Sequence, residues 1–193
     1  MNLLIMVMQV REKNIDEIKE KLKSINTDLN KINYLEEAIK ERGYSFEIKR
    51  FLLGELAKLY DERKMFSKAA RYMSNKASIE ITNKDKIDSY LYSAELYSKS
   101  HDVEEADNIF NKAYNESNPR DKPRILLTKK NIYMEFAKDL EKKGKKVTAS
   151  KFYEKLIRMP IDNSEKLEIK EKLIQTYRAL GLFREIKMLE AIK

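Results

Sequence analysis

His101 is the only histidine in a chain of 193 residues, and three carboxylates follow it, at Asp102, Glu104 and Glu105. A histidine beside carboxylates is the combination that acid–base catalysis and metal binding use. Catalysis would also need a nucleophile or further ligands that converge on the imidazole. The chain has no cysteine, so the usual nitrogen and sulfur ligand sets of zinc cannot form. We therefore assign no catalytic residue and no metal ligand, and we expect a protein that is not an enzyme and carries no cofactor.

An internal repeat gives His101 a structural interpretation. Pairs of alanine or isoleucine stand twelve residues apart, at Ala57 and Ala69, Ala94 and Ala106, Ala137 and Ala149, and Ile174 and Ile186. The first members of successive pairs are 37, 43 and 37 residues apart. Seven residues after them come Lys64, His101, Gly144 and Gly181. Two glycines at this offset predict a left-handed residue that ends a helix, and histidine is among the few other residues enriched in that conformation.

The same interpretation accounts for the carboxylates. Asp102 is expected to begin the next helix. Glu104 and Glu105 then lie in its first turn, where the helix dipole favours negative charge.

Each repeat has the pattern of two amphipathic helices. In the second repeat one apolar face is formed by Tyr90, Leu91, Ala94 and Tyr97, and another by Val103, Ala106, Ile109, Phe110 and Ala113. Alanines on both helices let the two backbones approach closely, while neighbouring aromatic side chains fill the space beside them. Four glycines and three prolines are too few for an all-β protein of this length. The sequence therefore predicts an all-α fold built from helix hairpins.

This pattern resembles the tetratricopeptide repeat, most clearly in AELYSKSHDVEEADNIFNKAYNESNP, residues 94–119, and YRALGLFREIKMLEAI, residues 177–192. It is also similar to the longer-helix solenoids of the soluble NSF-attachment proteins. The resemblance implies one domain over residues 1–193, a right-handed superhelical stack of four to five antiparallel helix hairpins. Four repeats would cover about residues 46–193, separated in the middle by an extended connector at 116–124. Residues 1–43 would be a divergent repeat or a cap, in which Leu29, Ile32, Leu35 and Ile39 form one apolar stripe before Gly43 stops the helix.

The two ends of the chain are expected to be apolar. The run MNLLIMVMQV, residues 1–10, should pack on the open side of the first repeat, since terminal repeats need their apolar face covered. It is too short to span a bilayer, which takes about 20 apolar residues. The last helix is expected to expose Phe183, Ile186, Leu189 and Ile192, so the protein could form a homo-oligomer through its terminal helices. The absence of cysteine favours a cytoplasmic location.

The resemblance also implies a function, which is the binding of a protein partner. In that family the first helix of each hairpin lines an inner groove, and the groove positions correspond here to Lys58, Tyr92, Glu95, Lys99, Lys138, Lys142, Gln175 and Arg178. Several lysines in a mixed groove suggest an acidic or amphipathic peptide or partner helix. The tyrosines at Tyr60, Tyr97, Tyr133, Tyr153 and Tyr177 are expected in the core instead, because they fall on apolar stripes.

A basic segment supports an alternative function. Residues 120–151 contain eleven basic and four acidic residues, which leaves +7 of the net charge of +8. Lysines cluster near a turn at Lys142, Lys143, Lys145, Lys146 and Lys151, where they could bind nucleic acid or an anionic lipid surface through salt-sensitive contacts. The alternatives to a scaffold are thus a nucleic-acid-binding helical repeat and, with weaker support, an adaptor that works at membranes.

Overall fold

The chain is all-α, as the sequence predicts. A computed structural model describes residues 10–191, which contain ten helices and no strand. The helices are α1 (Ile15–Ser24), α2 (Asp28–Ala38), α3 (Phe46–Glu62), α4 (Phe66–Ser78), α5 (Asn83–Lys99), α6 (Val103–Glu116), α7 (Lys122–Lys142), α8 (Lys146–Ile157), α9 (Asn163–Leu180) and α10 (Phe183–Ala191). The chain divides into two compact units, Met1–Leu96 and Tyr97–Lys193, with the division inside α5. The apolar run predicted to cover the first repeat lies almost wholly outside the described residues.

The four predicted left-handed residues are confirmed. Lys64, His101, Gly144 and Gly181 have φ angles of 58°, 65°, 73° and 73°. Each donates its N–H to the carbonyl three residues earlier, at 2.8–3.2 Å. The following residue donates to the carbonyl five residues earlier, at 2.8–3.0 Å. This pair of bonds is the Schellman motif, which satisfies the free carbonyls at a helix end. His101 is therefore a helix-ending residue. Residues in the same backbone conformation end α3, α7 and α9.

The helix after His101 begins as predicted. Asp102 is the N-cap of α6, and its side chain accepts the backbone N–H of Glu105 at 3.2 Å. Glu104 and Glu105 lie in the first turn. The carboxylates around the histidine thus start a helix.

Small residues bring the paired helices together, and aromatic residues fill the core beside them. Helix α3 packs on α4, α7 on α8, and α9 on α10. All six alanines of the twelve-residue pairs are fully buried. The five tyrosines predicted in the core are at most 8% exposed, and Tyr133 and Tyr153 are fully buried. Phe110 and Phe152 both contact Tyr133 edge to face, with ring centroids 5.5 and 5.3 Å away.

Three local predictions are wrong. Helix α2 ends at Ala38, before Gly43, and Leu29 on its predicted apolar stripe is exposed. The connector after α6 is shorter than expected, because α7 begins at Lys122 with Pro123 in its first turn, where the fixed φ of proline suits a helix.

The expected exposure of the last helix is also corrected. Ile186 and Leu189 are only 8% and 7% exposed, because α10 turns this face onto α9. Phe183 is 64% exposed, as expected, and Ile192 lies outside the described residues. The apolar stripe therefore completes the last hairpin, and only its edge reaches solvent.

Candidate interaction surfaces

In the first unit, a hydrogen bond joins the predicted groove residue Tyr92 to a residue of a neighbouring helix. The Tyr92 hydroxyl on α5 donates to Asp61 on α3 at 2.6 Å. Burial and this hydrogen bond both raise the pKa of Tyr92, so the phenol keeps its proton. Lys58 precedes Asp61 by one turn and is exposed, and Glu95 follows Tyr92 by one turn and is half-buried. We call Lys58, Asp61, Tyr92 and Glu95 the α3/α5 face.

Lys58 also borders a cavity of about 370 Å³ that is formed by α1, α2 and α3. Its charged lining residues are Lys19, Lys23, Asp28, Lys31, Glu55, Lys58 and Glu62. Phe51 contributes an aromatic wall, and the Lys19 ammonium lies 5.7 Å from its ring centroid. Cations and carboxylates alternate around an apolar floor, which suits a ligand with both polar and apolar groups.

In the second unit, Glu141 joins three helices. It lies on α7 and accepts the Tyr153 hydroxyl of α8 at 2.7 Å. It also lies 3.2 Å from the Thr176 hydroxyl of α9, which is shared between Glu141 and the carbonyl of Lys172 at 2.9 Å. The exposed residues beside these contacts are Lys138, Lys142, Gln175 and Arg178. Within each helix they lie one turn apart, so each pair lies on one face of its helix. We call these four residues the α7/α9 face.

Seven of the eight predicted groove residues thus fall into two groups, one in each unit. Lys58, Tyr92 and Glu95 belong to the first unit, and Lys138, Lys142, Gln175 and Arg178 to the second. Lys99, the last residue of α5, is half-buried and belongs to neither face.

The predicted lysine patch is exposed. Lys142, Lys143, Lys145, Lys146 and Lys151 all reach solvent around the turn between α7 and α8. Lys143 pairs with Asp139 at 2.7 Å, and the structure gives the other four no ion pair among residues 10–191. These lysines keep charge that is available to a polyanion.

Other lysines of the basic segment form ion pairs within the protein. Lys129 is 9% exposed and its ammonium lies 2.6 Å from Asp107. Lys130 pairs with Glu165 at 2.6 Å. The charge of +7 read from residues 120–151 therefore overstates what the surface offers.

Sequence reasoning missed a charged cluster built on Asp107. Its carboxylate accepts Lys129 at 2.6 Å, Lys155 at 3.3 Å and the Tyr133 hydroxyl at 3.3 Å. Burial alone would raise the pKa of Asp107, but the two lysines hold it below its ordinary value. The signal was the position of Lys129 on the apolar stripe of α7, four residues after Ile125 and four before Tyr133. A lysine there must find a partner inside the fold.

The described residues contain neither a candidate metal site nor a candidate membrane-spanning helix. Within residues 10–191, no group of three or more His, Cys, Asp or Glu residues is arranged to hold a metal ion. None of the described helices combines the length and apolar character needed to cross a membrane.

Comparison with models of protein families gives no match, and a search of curated proteins finds no significant similarity.

Proposed function

We propose that the chain is a non-catalytic protein-interaction module, a tetratricopeptide-like stack of helix hairpins that binds a peptide or a partner helix on the concave face formed by its first helices. The observation that carries the proposal is the contact between Glu141 on α7 and the Thr176 hydroxyl on α9, at 3.2 Å. A contact of this kind is expected between the first helices of successive hairpins in such a stack. The Tyr92 contact with Asp61 is the corresponding link between α5 and α3.

The chemistry of the two faces indicates the kind of partner. The α7/α9 face carries three exposed cations, Lys138, Lys142 and Arg178, beside the amide of Gln175. The α3/α5 face carries the exposed Lys58 and the half-buried ring of Tyr92, which offers an apolar contact with a polar tip. Cations beside an aromatic surface favour a peptide that combines carboxylates with apolar side chains.

A selection of peptides from a random display library on the whole chain would test this function. We expect the recovered peptides to be acidic, and the double variant Lys138→Glu, Arg178→Glu to bind them at least about tenfold more weakly, because two attractive contacts become repulsive. Lys187→Glu is the matched control, since Lys187 is an exposed lysine on the second helix of the last hairpin. Peptides that bind the double variant and the wild type equally would show that the α7/α9 face is the wrong surface.

Nucleic-acid binding is a second candidate, favoured by the exposure of the lysine patch. Fluorescence anisotropy with labelled RNA and duplex DNA over a salt series would measure it. If the patch binds, neutralising Lys143, Lys145 and Lys146 together should abolish binding and flatten the salt dependence, because each phosphate contact releases counterions. Absence of binding at low salt would remove this candidate, while the peptide selection would be unaffected.

A further inference from the structure

A cavity of about 340 Å³ lies in the second unit, between α6, the first half of α7 and the end of α8. It does not belong to the α7/α9 face. Its apolar walls are Phe110, Tyr114, Ile125, Leu126, Met159 and Pro160. Its polar lining consists of Asp107, Asn111, Lys129, Lys155 and Arg158. Ligand sites in proteins commonly have this size and this combination of apolar walls with a few convergent polar groups.

The floor of the cavity is fixed by Lys129. Its ammonium binds Asp107 at 2.6 Å and the side-chain oxygen of Asn111 at 3.2 Å. It also lies 5.9 Å from the ring centroid of Phe110. A lysine with this many partners is held in one position, so it contributes a stationary positive charge.

The positive charge of Lys155 is less completely neutralised by carboxylates than that of Lys129. It lies 3.3 Å from Asp107, which Lys129 already occupies at a shorter distance. Its other partner is Glu104 at 2.7 Å, whose side chain is 71% exposed. The Glu104 carboxylate is well solvated, so its ion pair with Lys155 contributes little free energy. A bound anion could therefore replace Glu104 at Lys155 at a small cost in free energy.

Arg158 adds a third cation at the mouth. It is exposed at the end of α8, and the structure shows no ion pair for it within residues 10–191. The lining therefore holds three cations and one carboxylate, beside walls that exclude water on several sides. Excess positive charge next to apolar surface attracts an anion more strongly than the same charge in open solvent.

We propose that this cavity binds a small amphiphilic anion, namely an aromatic or branched aliphatic group that carries a carboxylate or a phosphate. The apolar part lies against Phe110, Tyr114 and Leu126. The anionic group binds Lys155 and Arg158, while Lys129 supplies fixed charge from the floor. This site is separate from the proposed peptide-binding function and does not depend on it.

Calorimetric titration of the whole chain with four probes tests the proposal. Phenyl phosphate and phenylacetate each combine an aromatic ring with one anionic group, a phosphate and a carboxylate respectively. Benzyl alcohol has the ring without the charge, and inorganic phosphate has the charge without the ring. We expect at least one of the two aromatic anions to bind at least about tenfold more tightly than benzyl alcohol and inorganic phosphate, since both parts of the ligand contribute. The ratio between the two aromatic anions shows whether a phosphate or a carboxylate is preferred.

Variants then locate the binding. Arg158→Gln and Leu126→Trp should each weaken the tighter anion by at least about tenfold, the first by removing a charged hydrogen bond and the second by filling the cavity. Arg184→Gln is the matched control, because Arg184 is an exposed arginine of α10 that does not line the cavity. Arg158 and Leu126 are not fully buried, so both variants should fold, which circular dichroism checks.

Three results would overturn the proposal. They are the absence of binding by both aromatic anions at millimolar concentration, equal binding of benzyl alcohol, and equal weakening by Arg184→Gln and Arg158→Gln. None of them bears on the peptide selection, which concerns another surface.

Discussion

The Tyr92 hydroxyl donates a 2.6 Å hydrogen bond to Asp61, so a residue assigned to the binding surface also ties α5 to α3. Its ring is half-buried, and its replacement by alanine would remove packing together with any partner contact. Loss of binding in Tyr92→Ala would therefore have two explanations. The phenylalanine variant separates them because it keeps the ring.

We expect Tyr92→Phe to lower the free energy of unfolding by about 1 kcal/mol, the usual net value of one hydrogen bond to a partly buried partner. Chemical denaturation measures this change. Tyr114→Phe is the control, since the structure shows no hydrogen bond from the Tyr114 hydroxyl to a described residue. Equal effects of the two substitutions would mean that the Tyr92 bond does not contribute.

The left-handed residues should respond to substitution according to backbone conformation alone. Gly144 has a φ of 73° and nothing within 4 Å of an added Cβ, so Gly144→Ala meets only the intrinsic cost of the conformation. We expect a loss of about 1 kcal/mol of unfolding free energy. Gly43→Ala is the control, because Gly43 has equal space and no positive φ of this kind.

His101 allows the opposite substitution, in which glycine replaces a left-handed residue that has a side chain. Its φ is 65° and its Nδ1 atom is buried without a hydrogen-bond partner among the described residues. His101→Gly should therefore raise the unfolding free energy by about 0.5–1 kcal/mol, because glycine adopts this conformation without strain. A destabilised glycine variant in thermal unfolding would contradict this account of the histidine.

Glu36 should make stability depend on acidic pH. It accepts the hydroxyls of Tyr60 and Tyr72 at 2.7 and 2.8 Å. Burial alone would raise the pKa of Glu36, but these hydrogen bonds hold it below its ordinary value. The contribution is present above the unfolded pKa and is lost as the pH falls through the folded one.

The measurement is denaturation of the wild type and Glu36→Gln between neutral pH and pH about 3. We expect the variant to be less stable near pH 7 and to show a shallower loss on acidification. Glu37→Gln is a suitable neighbour for comparison, since Glu37 pairs only with the exposed Lys40 at 2.6 Å. If both variants kept the slope of the wild type, the Glu36 network would not be the origin of the acid dependence.

Alkaline pH should unfold the protein through its tyrosines. Burial and carboxylate hydrogen bonds raise the pKa of Tyr60 to about 12, and they also raise the pKa values of Tyr72, Tyr153 and Tyr177. Both states are protonated below pH about 10, so this stabilising effect is fully present there. Above that pH the unfolded state ionises first, and the stabilisation is lost as pH rises toward the folded pKa values.

Ultraviolet absorbance of tyrosinate, recorded with circular dichroism, measures this transition. We expect only part of the tyrosine to ionise near pH about 10, and the remainder to ionise together with the loss of helix. Complete ionisation near that pH with the helical signal intact would show that the buried phenols are not held in their protonated form.

The sequence alone determined the features that depend on neighbours along the chain. Helical periodicity located the helices from α3 to α10, and the seven-residue offset located the four left-handed residues of the described chain, including His101. These follow from local sterics, because backbone conformation and hydrogen bonds at a helix end involve residues within five positions of each other. The end of α2 was misplaced because Gly43 was read as the stop, although the helix had already ended at Ala38.

Only the tertiary structure decided which lysines of the basic segment are exposed to solvent. Lys129 and Lys143 belong to the same basic segment, yet Lys129 is buried against Asp107, 22 residues away, and Lys143 is exposed. The burial of Ile186 and Leu189 was decided in the same way, by the packing of α10 on α9. Periodicity placed Lys129 on the apolar stripe of α7, but it could not name the partner, because pairing depends on where distant helices meet.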